Sequence, residues 1–153
     1  MALVYLGLGS NLGYKREFLE LAIAEIEKQI GLIVARSAFY DYAPWGFESP
    51  NSFKNACVAV ETTLDPQACL RVTSSIESSL GRIRKAIDGY KDRVIDIDIL
   101  FYDQLILQED NLTIPHPLLH QRRFVLEPLA EIYPKLMHPI LHKNIKTLLK
   151  ELI

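Results

Sequence analysis

Residues 93–100 read RVIDIDIL. In an extended strand successive side chains point to opposite faces, so Ile95, Ile97 and Ile99 share one face and Val94, Asp96 and Asp98 the other. The isoleucine face is a core face. The opposite face carries two carboxylates whose Cα atoms stand roughly 6.6–7 Å apart by strand rise. Asp is a poor strand former, and two like charges at that spacing repel by about 0.5–3 kcal/mol, depending on the effective dielectric. Either that face is wet, as in many antiparallel sheets, and solvent screens both charges, or a cation offsets the repulsion. Carboxylate oxygens suit Mg2+, and paired Mg2+ ions about 3.5–4 Å apart can share two such side chains.

Working outward from this strand, the order of elements defines a fold class. Residues 2–8, ALVYLGL, read as a buried strand, and GSNLG at 9–13 breaks it. From Lys15 to Ile30, Leu19, Ala22, Ile23, Ile26 and Ile30 recur at helical spacing, and Gly31 ends the run. LIVARSAFYDY at 32–42 and FKNACVAVETT at 53–63 are β-branched and aromatic and read as strands. The loop between them, APWGFESPNS, exceeds the common hairpin length, and long loops on small domains often carry function. Asp65 caps a helix opened by Pro66, with Leu70, Thr73, Ile76 and Leu80 inward, and Gly81 stops it. After a second long loop, GRIRKAIDGYKD, comes the strand with which the reading began. The sum is βαββαβ, the split βαβ of a ferredoxin-like α+β domain with an antiparallel sheet and helices on one face. From Leu105 the chain adds an extension: a short strand, a Pro-rich turn and helices near 124–133 and 144–152.

A length of 153 residues fits one domain, 1–153, with a sizeable core. Hydrophobic residues at 49% and charged residues at 24% are a globular balance, and a net charge of −2 supplies no general basic field for nucleic acid, so any anion site is local. No apolar run approaches the roughly 18–20 residues of a membrane span, and MALVYLGLGS lacks the basic start of a secretory signal. The expected compartment is the cytoplasm. Cys57 and Cys69 match neither a zinc knuckle nor a C-x-x-C motif and read as buried reduced thiols.

Arg82, Arg84, Lys85, Lys91 and Arg93 crowd the loop just upstream of the aspartates. Alone they would be a solvated surface loop. Beside a pair of carboxylates they are the other half of a polyphosphate site, with arginines forking onto oxygens that a metal leaves uncovered. TIPHPLLHQRRF at 113–124 adds Arg122, Arg123 and His116, the last a possible donor to phosphate. His116 and His120 share the spacing of a zinc pair, but no third ligand is visible and Pro117 disturbs the helix they would need. His138 and His142 flank Pro139 and are expected on the surface. Trp45, Phe53, Tyr90 and Phe124 lie in or beside loops, where a ring either fills the core or stacks on a planar heterocycle. Asn55 sets a primary amide in a strand, and a buried amide needs partners.

GLGSNLG, FYDYAPWG, FKNACVAVE, GRIRK, DRVIDIDILFYD and TIPHPLLHQRRFVLEPLAEI resemble, in order and spacing, the 6-hydroxymethyl-7,8-dihydropterin pyrophosphokinases of folate synthesis. The resemblance covers nearly the whole chain. It implies a ferredoxin-like enzyme that binds MgATP and a reduced pterin and moves the β,γ-pyrophosphoryl group onto the pterin's hydroxymethyl oxygen, releasing AMP. Asp96 and Asp98 fall on the family's aspartates for two Mg2+ ions. Arg82 and Arg93 fall on its catalytic arginines. Arg84, Lys85, Ile99 through its backbone, Thr113, His116 and Arg122 match nucleotide contacts, while Tyr42, Trp45, Phe53, Asn55, Tyr90 and Phe124 match the pterin pocket. The partners implied are these two small substrates, without nucleic acid or membrane, in a monomer or weak dimer. Tyr90, Pro117, Phe53, Asn111 and Ser74 depart from residues common in the family, the last two where longer side chains help hold the nucleotide.

Two rival readings share the fold. An RNA-binding module of the RRM type explains βαββαβ and exposed rings, but its aromatic signature is absent and two aspartates would repel phosphate. A noncatalytic nucleotide-sensing domain is consistent with fold alone. Release of AMP from ATP, Mg2+ and pterin separates the enzyme from both.

Overall fold

A computed structural model describes residues 1–44, 51–81 and 94–152. The chain runs through strand β1 (Ala2–Ser10), helix α1 (Lys15–Gln29), strands β2 (Gly31–Arg36), β3 (Tyr40–Tyr42) and β4 (Phe53–Thr62), and helix α2 (Pro66–Ser79). Strands β5 (Asp96–Tyr102), β6 (Leu107–Glu109) and β7 (Leu112–Ile114) follow, then helices α3 (Arg123–Ile132) and α4 (Ile145–Glu151). Among the described residues the main sheet has the order β2-β4-β1-β5, with β3 paired to β4 beyond the end of β2, and every pairing is antiparallel. It is a mixed fold of helices and antiparallel sheet.

The expected helix starts and stops have visible causes. The Asp65 carboxylate accepts from the Ala68 amide at 2.8 Å, and Pro66 occupies the first turn of α2. Gly81 follows at φ 88, a left-handed stop. Gly31 works differently from expectation. It is the first residue of β2, and a Cβ there would lie 1.9 Å from the Glu61 carbonyl oxygen, so close approach of two strands requires the glycine.

The expected single strand over 32–42 is two strands. Ser37 separates them, its amide donating to the Cys57 carbonyl while its Oγ accepts from the Cys57 amide at 2.9 Å. Ala38 then donates its amide to Glu131 on α3. A side chain competing for backbone groups is what ends β2.

Both faces of the sheet are covered. Val4, Leu6 and Leu8 of β1, Val58 and Val60 of β4, and Ile97 and Ile99 of β5 pack with Leu19, Ile23 and Ile26 of α1 and Cys69 and Ile76 of α2. The alternate residues Tyr5, Cys57, Ala59, Leu100 and Phe101 pack with Val125, Leu126 and Leu129 of α3 and Ile145 and Leu148 of α4. The expectation of helices on one face therefore holds only for α1 and α2. The opposite face carries too much apolar surface to stay wet, and the C-terminal helices bury it.

An irregularity in β5 enlarges that second face. Ile99 pairs with Leu6 and Phe101 with Tyr5, so Leu100 is an extra residue, and both Leu100 and Phe101 turn toward α3 and α4. His138 lies against this cluster and is buried, contrary to its expected exposure. Its ring meets Phe101 edge-on at 5.7 Å, and its Nδ1 accepts from the Ile140 and Leu141 amides. The ring serves as a local cap for the turn after Pro139, while His142 is exposed as expected. Cys57 and Cys69 are buried free thiols, and burial pushes the Cys69 thiol up to about 11.

Candidate active site

At the end of the sheet where β1 finishes and β4 and β5 begin, the α3 face changes character. Register places Asp96 of β5, Gly9 of β1, Asn55 of β4 and Tyr40 of β3 in one row across four strands. Gly7 stands opposite Asp98 in the next row. Two glycines, two residues apart on one strand, let neighbouring side chains lie directly against the backbone, Leu100 over Gly7 and Asn55 and Phe53 over Gly9. The fit is tightest at Gly9, where a Cβ would come within 2.8 Å of Asn55 Nδ2, so the glycine is what admits the amide there. Asn55 is 6% exposed; its Nδ2 donates to the Leu8 carbonyl at 3.3 Å, while its Oδ1 is buried with no hydrogen-bond partner among the described residues. A buried acceptor in that condition is costly and awaits a donor.

Asp96 and Asp98 lie on this face, as alternation requires, and both are half-buried. The Arg122 guanidinium, 6% exposed, approaches Asp98 Oδ2 with its Nη1 at 3.9 Å. The same guanidinium lies 5.4 Å from the ring centre of Phe124. Arg122 caps the N-terminal end of α3, which delivers Arg122 and Phe124 to the sheet together.

Rings wall the other side. Phe53 pairs with Tyr42, whose ring stands 6.4 Å from Phe124 and 6.2 Å from Tyr40, stacked on the latter. The Tyr42 hydroxyl donates to Glu127 and the Tyr40 hydroxyl to Glu131 Oε1 at 2.6 Å. Phe124, Glu127 and Glu131 recur at helical spacing on α3, so these two bonds tie β3 to the helix that bears Phe124. Burial and then the Glu127 bond push the Tyr42 hydroxyl well up, and the Glu131 bond raises Tyr40 to about 12, so both remain protonated donors at neutral pH.

His116 approaches from beyond β7. Its amide donates to the Leu100 carbonyl, and its Nδ1 accepts from the Leu118 amide at 3.2 Å. Burial first and the Arg122 charge second draw its pKa down to about 4, against the opposing pull of Asp96. The neutral ring therefore carries its proton on Nε2, a donor without a full charge. Thr113, half-buried on β7, lines with His116, His120 and His138 a cavity of ≈ 240 Å3 floored by Leu107, Ile114 and Pro115.

Asp96, Asp98, Phe53, Asn55, Tyr42, Arg122, Phe124 and His116 thus meet at one end of one sheet face. The Ile99 side chain turns away into the α1 and α2 core, consistent with a contact through its backbone alone. Trp45, Arg82, Arg84, Lys85, Tyr90 and Arg93 lie outside the described residues. Sequence reasoning passed over Gly7 and Gly9, although G-L-G inside a strand signals close approach on one face. It also passed over Glu127 and Glu131, and Glu77, a carboxylate beside Ile76 on the inward side of a helix.

The fold and this polar cluster define an α+β protein whose sheet end gathers paired carboxylates, a buried amide and aromatic rings. The family profile of 7,8-dihydro-6-hydroxymethylpterin-pyrophosphokinase (HPPK) matches residues 5–134. The chain is 46% identical over 141 residues to the 2-amino-4-hydroxy-6-hydroxymethyldihydropteridine pyrophosphokinase of Porphyromonas gingivalis, across 91% of this chain and 95% of that protein. It is 45% identical over 138 residues to the enzyme of the same name from Methylorubrum extorquens, across 90% and 86%. The wild-type HPPK-DHPS of Plasmodium falciparum shares the fold at a TM-score of 0.81 and 19% identity, over 98% of this chain and 44% of that longer one. The chain belongs to the HPPK family and is a pyrophosphokinase of folate biosynthesis. No helix among the described residues is long and apolar enough to cross a membrane.

Proposed function

We propose that this chain, as one ferredoxin-like domain over 1–153, transfers the β,γ-pyrophosphoryl group of ATP to the hydroxymethyl oxygen of 6-hydroxymethyl-7,8-dihydropterin, giving the pterin diphosphate and AMP with two Mg2+ ions. The observation that carries this reading is the row Asp96, Gly9, Asn55, which sets a carboxylate pair and a buried amide with a waiting acceptor on neighbouring strands of one sheet face, beside Phe53. The strand order β2-β4-β1-β5 supports the ferredoxin-like part of it.

A pterin is flat, and its edge presents N–H donors beside ring acceptors. Phe53 and Phe124 suit its faces, Asn55 Oδ1 suits an N–H on its edge, and Gly9 admits the Asn55 amide at that place. Tyr42, held by Glu127, forms the outer wall. Asp96 and Asp98 are hard oxygen donors on one side of the strand. Among the described residues no third His, Cys, Asp or Glu joins them in a group able to hold a metal, which suits Mg2+, since it accepts one or two carboxylates and takes phosphate oxygens and water for the rest. When bound, Mg2+ neutralises triphosphate charge and makes the hydroxymethyl group easier to ionise.

The residues then have separate tasks. Arg122 offers a buried guanidinium to phosphate oxygens, and His116 offers a neutral Nε2–H. Arg82, Arg84, Lys85 and Arg93 add cations from the 82–93 segment, and Arg82 and Arg93 act on the transferred group. Thr113 and the Ile99 backbone take the nucleoside end, with Trp45 and Tyr90 against the pterin. Alignment of the attacking and leaving oxygens, charge stabilisation and exclusion of water account for the catalysis, so no dedicated general base is required.

The test is incubation with ATP, Mg2+ and 6-hydroxymethyl-7,8-dihydropterin, following AMP by chromatography with chelator and pterin-free controls. AMP formed only with both metal and pterin supports the reading. A folded protein that binds MgATP yet releases no AMP refutes it in favour of a nucleotide-binding domain without transfer.

A further inference from the structure

Glu77 is 4% exposed, lies on the inward side of α2, and is given no part in the transfer as described above. Burying a carboxylate is costly unless strong hydrogen bonds hold it. Here the Ile97 amide donates to Glu77 Oε2 at 2.6 Å, in a fully buried contact between the last turns of α2 and the start of β5. Ile97 is the residue between Asp96 and Asp98. Strand β5 ends the sheet order, so among the described residues the edge of β5 away from β1 has no strand beside it to hold the backbone in place. A short buried hydrogen bond at this point does that work from the α2 side while the two aspartates face the other side.

We propose that Glu77 is a positioning residue for the metal pair: by gripping the Ile97 amide it fixes the backbone from which Asp96 and Asp98 project, and so the spacing and aim of their carboxylates. The inference rests on the reading of Asp96 and Asp98 as metal-binding. It assigns the effect to reach and not to charge, because Glu77 itself is directed to the backbone.

Two substitutions separate these. Glu77→Gln keeps an acceptor at the same reach without the charge, and Glu77→Asp keeps the charge but is one methylene too short. The readouts are Mn2+ affinity by electron paramagnetic resonance with the nonreactive analogue α,β-methylene-ATP, and hydrogen exchange of the Ile97 amide in metal-free protein. Glu77→Asp should expose the Ile97 amide and weaken Mn2+ binding about 10–100-fold, while Glu77→Gln keeps amide protection and stays within about threefold of the parent, as expected for an outer partner of a metal ligand. Parental Mn2+ affinity in a folded Glu77→Asp protein whose Ile97 amide exchanges fast would reduce Glu77 to a structural tie and overturn the proposal. Weak binding in Glu77→Gln with parental binding in Glu77→Asp would overturn it too, in favour of a field effect. Should Glu77→Asp fail to fold, Glu77→Gln decides alone, retained affinity supporting the proposal and lost affinity overturning it. The metal reading is checked separately by the parent and Asp98→Ala: if the parent binds no Mn2+ with the analogue, or Asp98→Ala binds it equally well, that reading fails and takes this one with it.

Discussion

The two faces of the central sheet are made by the same strands and do different things. Toward α1 and α2, the alternation of β1, β4 and β5 gives an apolar surface from Val4 to Leu8, from Val58 to Val60 and from Ile95 to Ile99, filled by helix side chains. Toward α3 and α4, the face is apolar only at the end near Tyr5, Leu100 and Phe101. At its other end it holds Asp96, Asp98, Gly9 and Asn55. The first face puts its surface into packing, whereas the second gathers carboxylates and a buried amide at one end, a polar cost that packing alone does not repay.

The sharpest way to break the contrast is Asp98→Ala. Turnover should fall by orders of magnitude, on the scale by which metal-assisted charge stabilisation accelerates phosphoryl-type transfer, while the protein still folds, with a modest loss of thermal stability from the Arg122 contact. Near-parental turnover would remove Asp98 from the site. On the other face, Ile26→Ala, at a side chain with no exposure, should cost about 2–5 kcal/mol in denaturant unfolding yet leave pterin affinity of the folded protein unchanged. A loss of affinity there would mean the two faces are coupled.

A smaller change sharpens the boundary between them. Gly9→Ala places a Cβ 2.8 Å from Asn55 Nδ2, so the amide must move. Pterin affinity by calorimetry should drop about 10–100-fold, the penalty for misplacing a contact by an ångström, with nucleotide affinity little changed. Equal losses for both ligands would show that the Asn55 amide is not specific to the pterin. The smallest effect concerns pH. His116 is held down to about 4 and His138 is also lowered, burial being the first cause for each, so the unfolded chain binds more protons than the folded one between that range and about 6.5. Stability should be fully present above pH about 6.5 and decline as pH falls toward 4, and His138→Gln should flatten part of that slope. An unchanged slope in that variant would return His138 to the surface role expected from its sequence neighbourhood.

Much of this was legible in the chain because it is local. The helices over Lys15–Gln29 and Pro66–Ser79 follow from apolar spacing, the Asp65 cap and Pro66, and Asp96 and Asp98 share a face because a strand has period two. Asn55 stood out as an amide in an apolar strand. The extra residue at Leu100 and the interruption at Ser37 were not legible, since each depends on which partner strand receives which amide. The burial of His138 was hidden for a related reason: its neighbours Phe101 and the Ile140 and Leu141 amides come together only when the C-terminal turn packs on β5.

The sequence by itself left open the split at Ser37 and the second short strand after Leu107, but it determined the first strand, both long helices, the sided strand with its aspartates and, through its motifs, the family. Those are properties of neighbours a few residues apart, where side-chain direction and propensity decide. Only the tertiary structure decided that a second helical layer closes the other sheet face, that Asn55 lies over Gly9 in the row that holds Asp96, that Tyr42 is tied to Glu127, and that Glu77 reaches the amide between the aspartates. Each of those joins residues distant in the chain, and their juxtaposition follows from strand register and burial, which a periodic pattern along one segment does not contain.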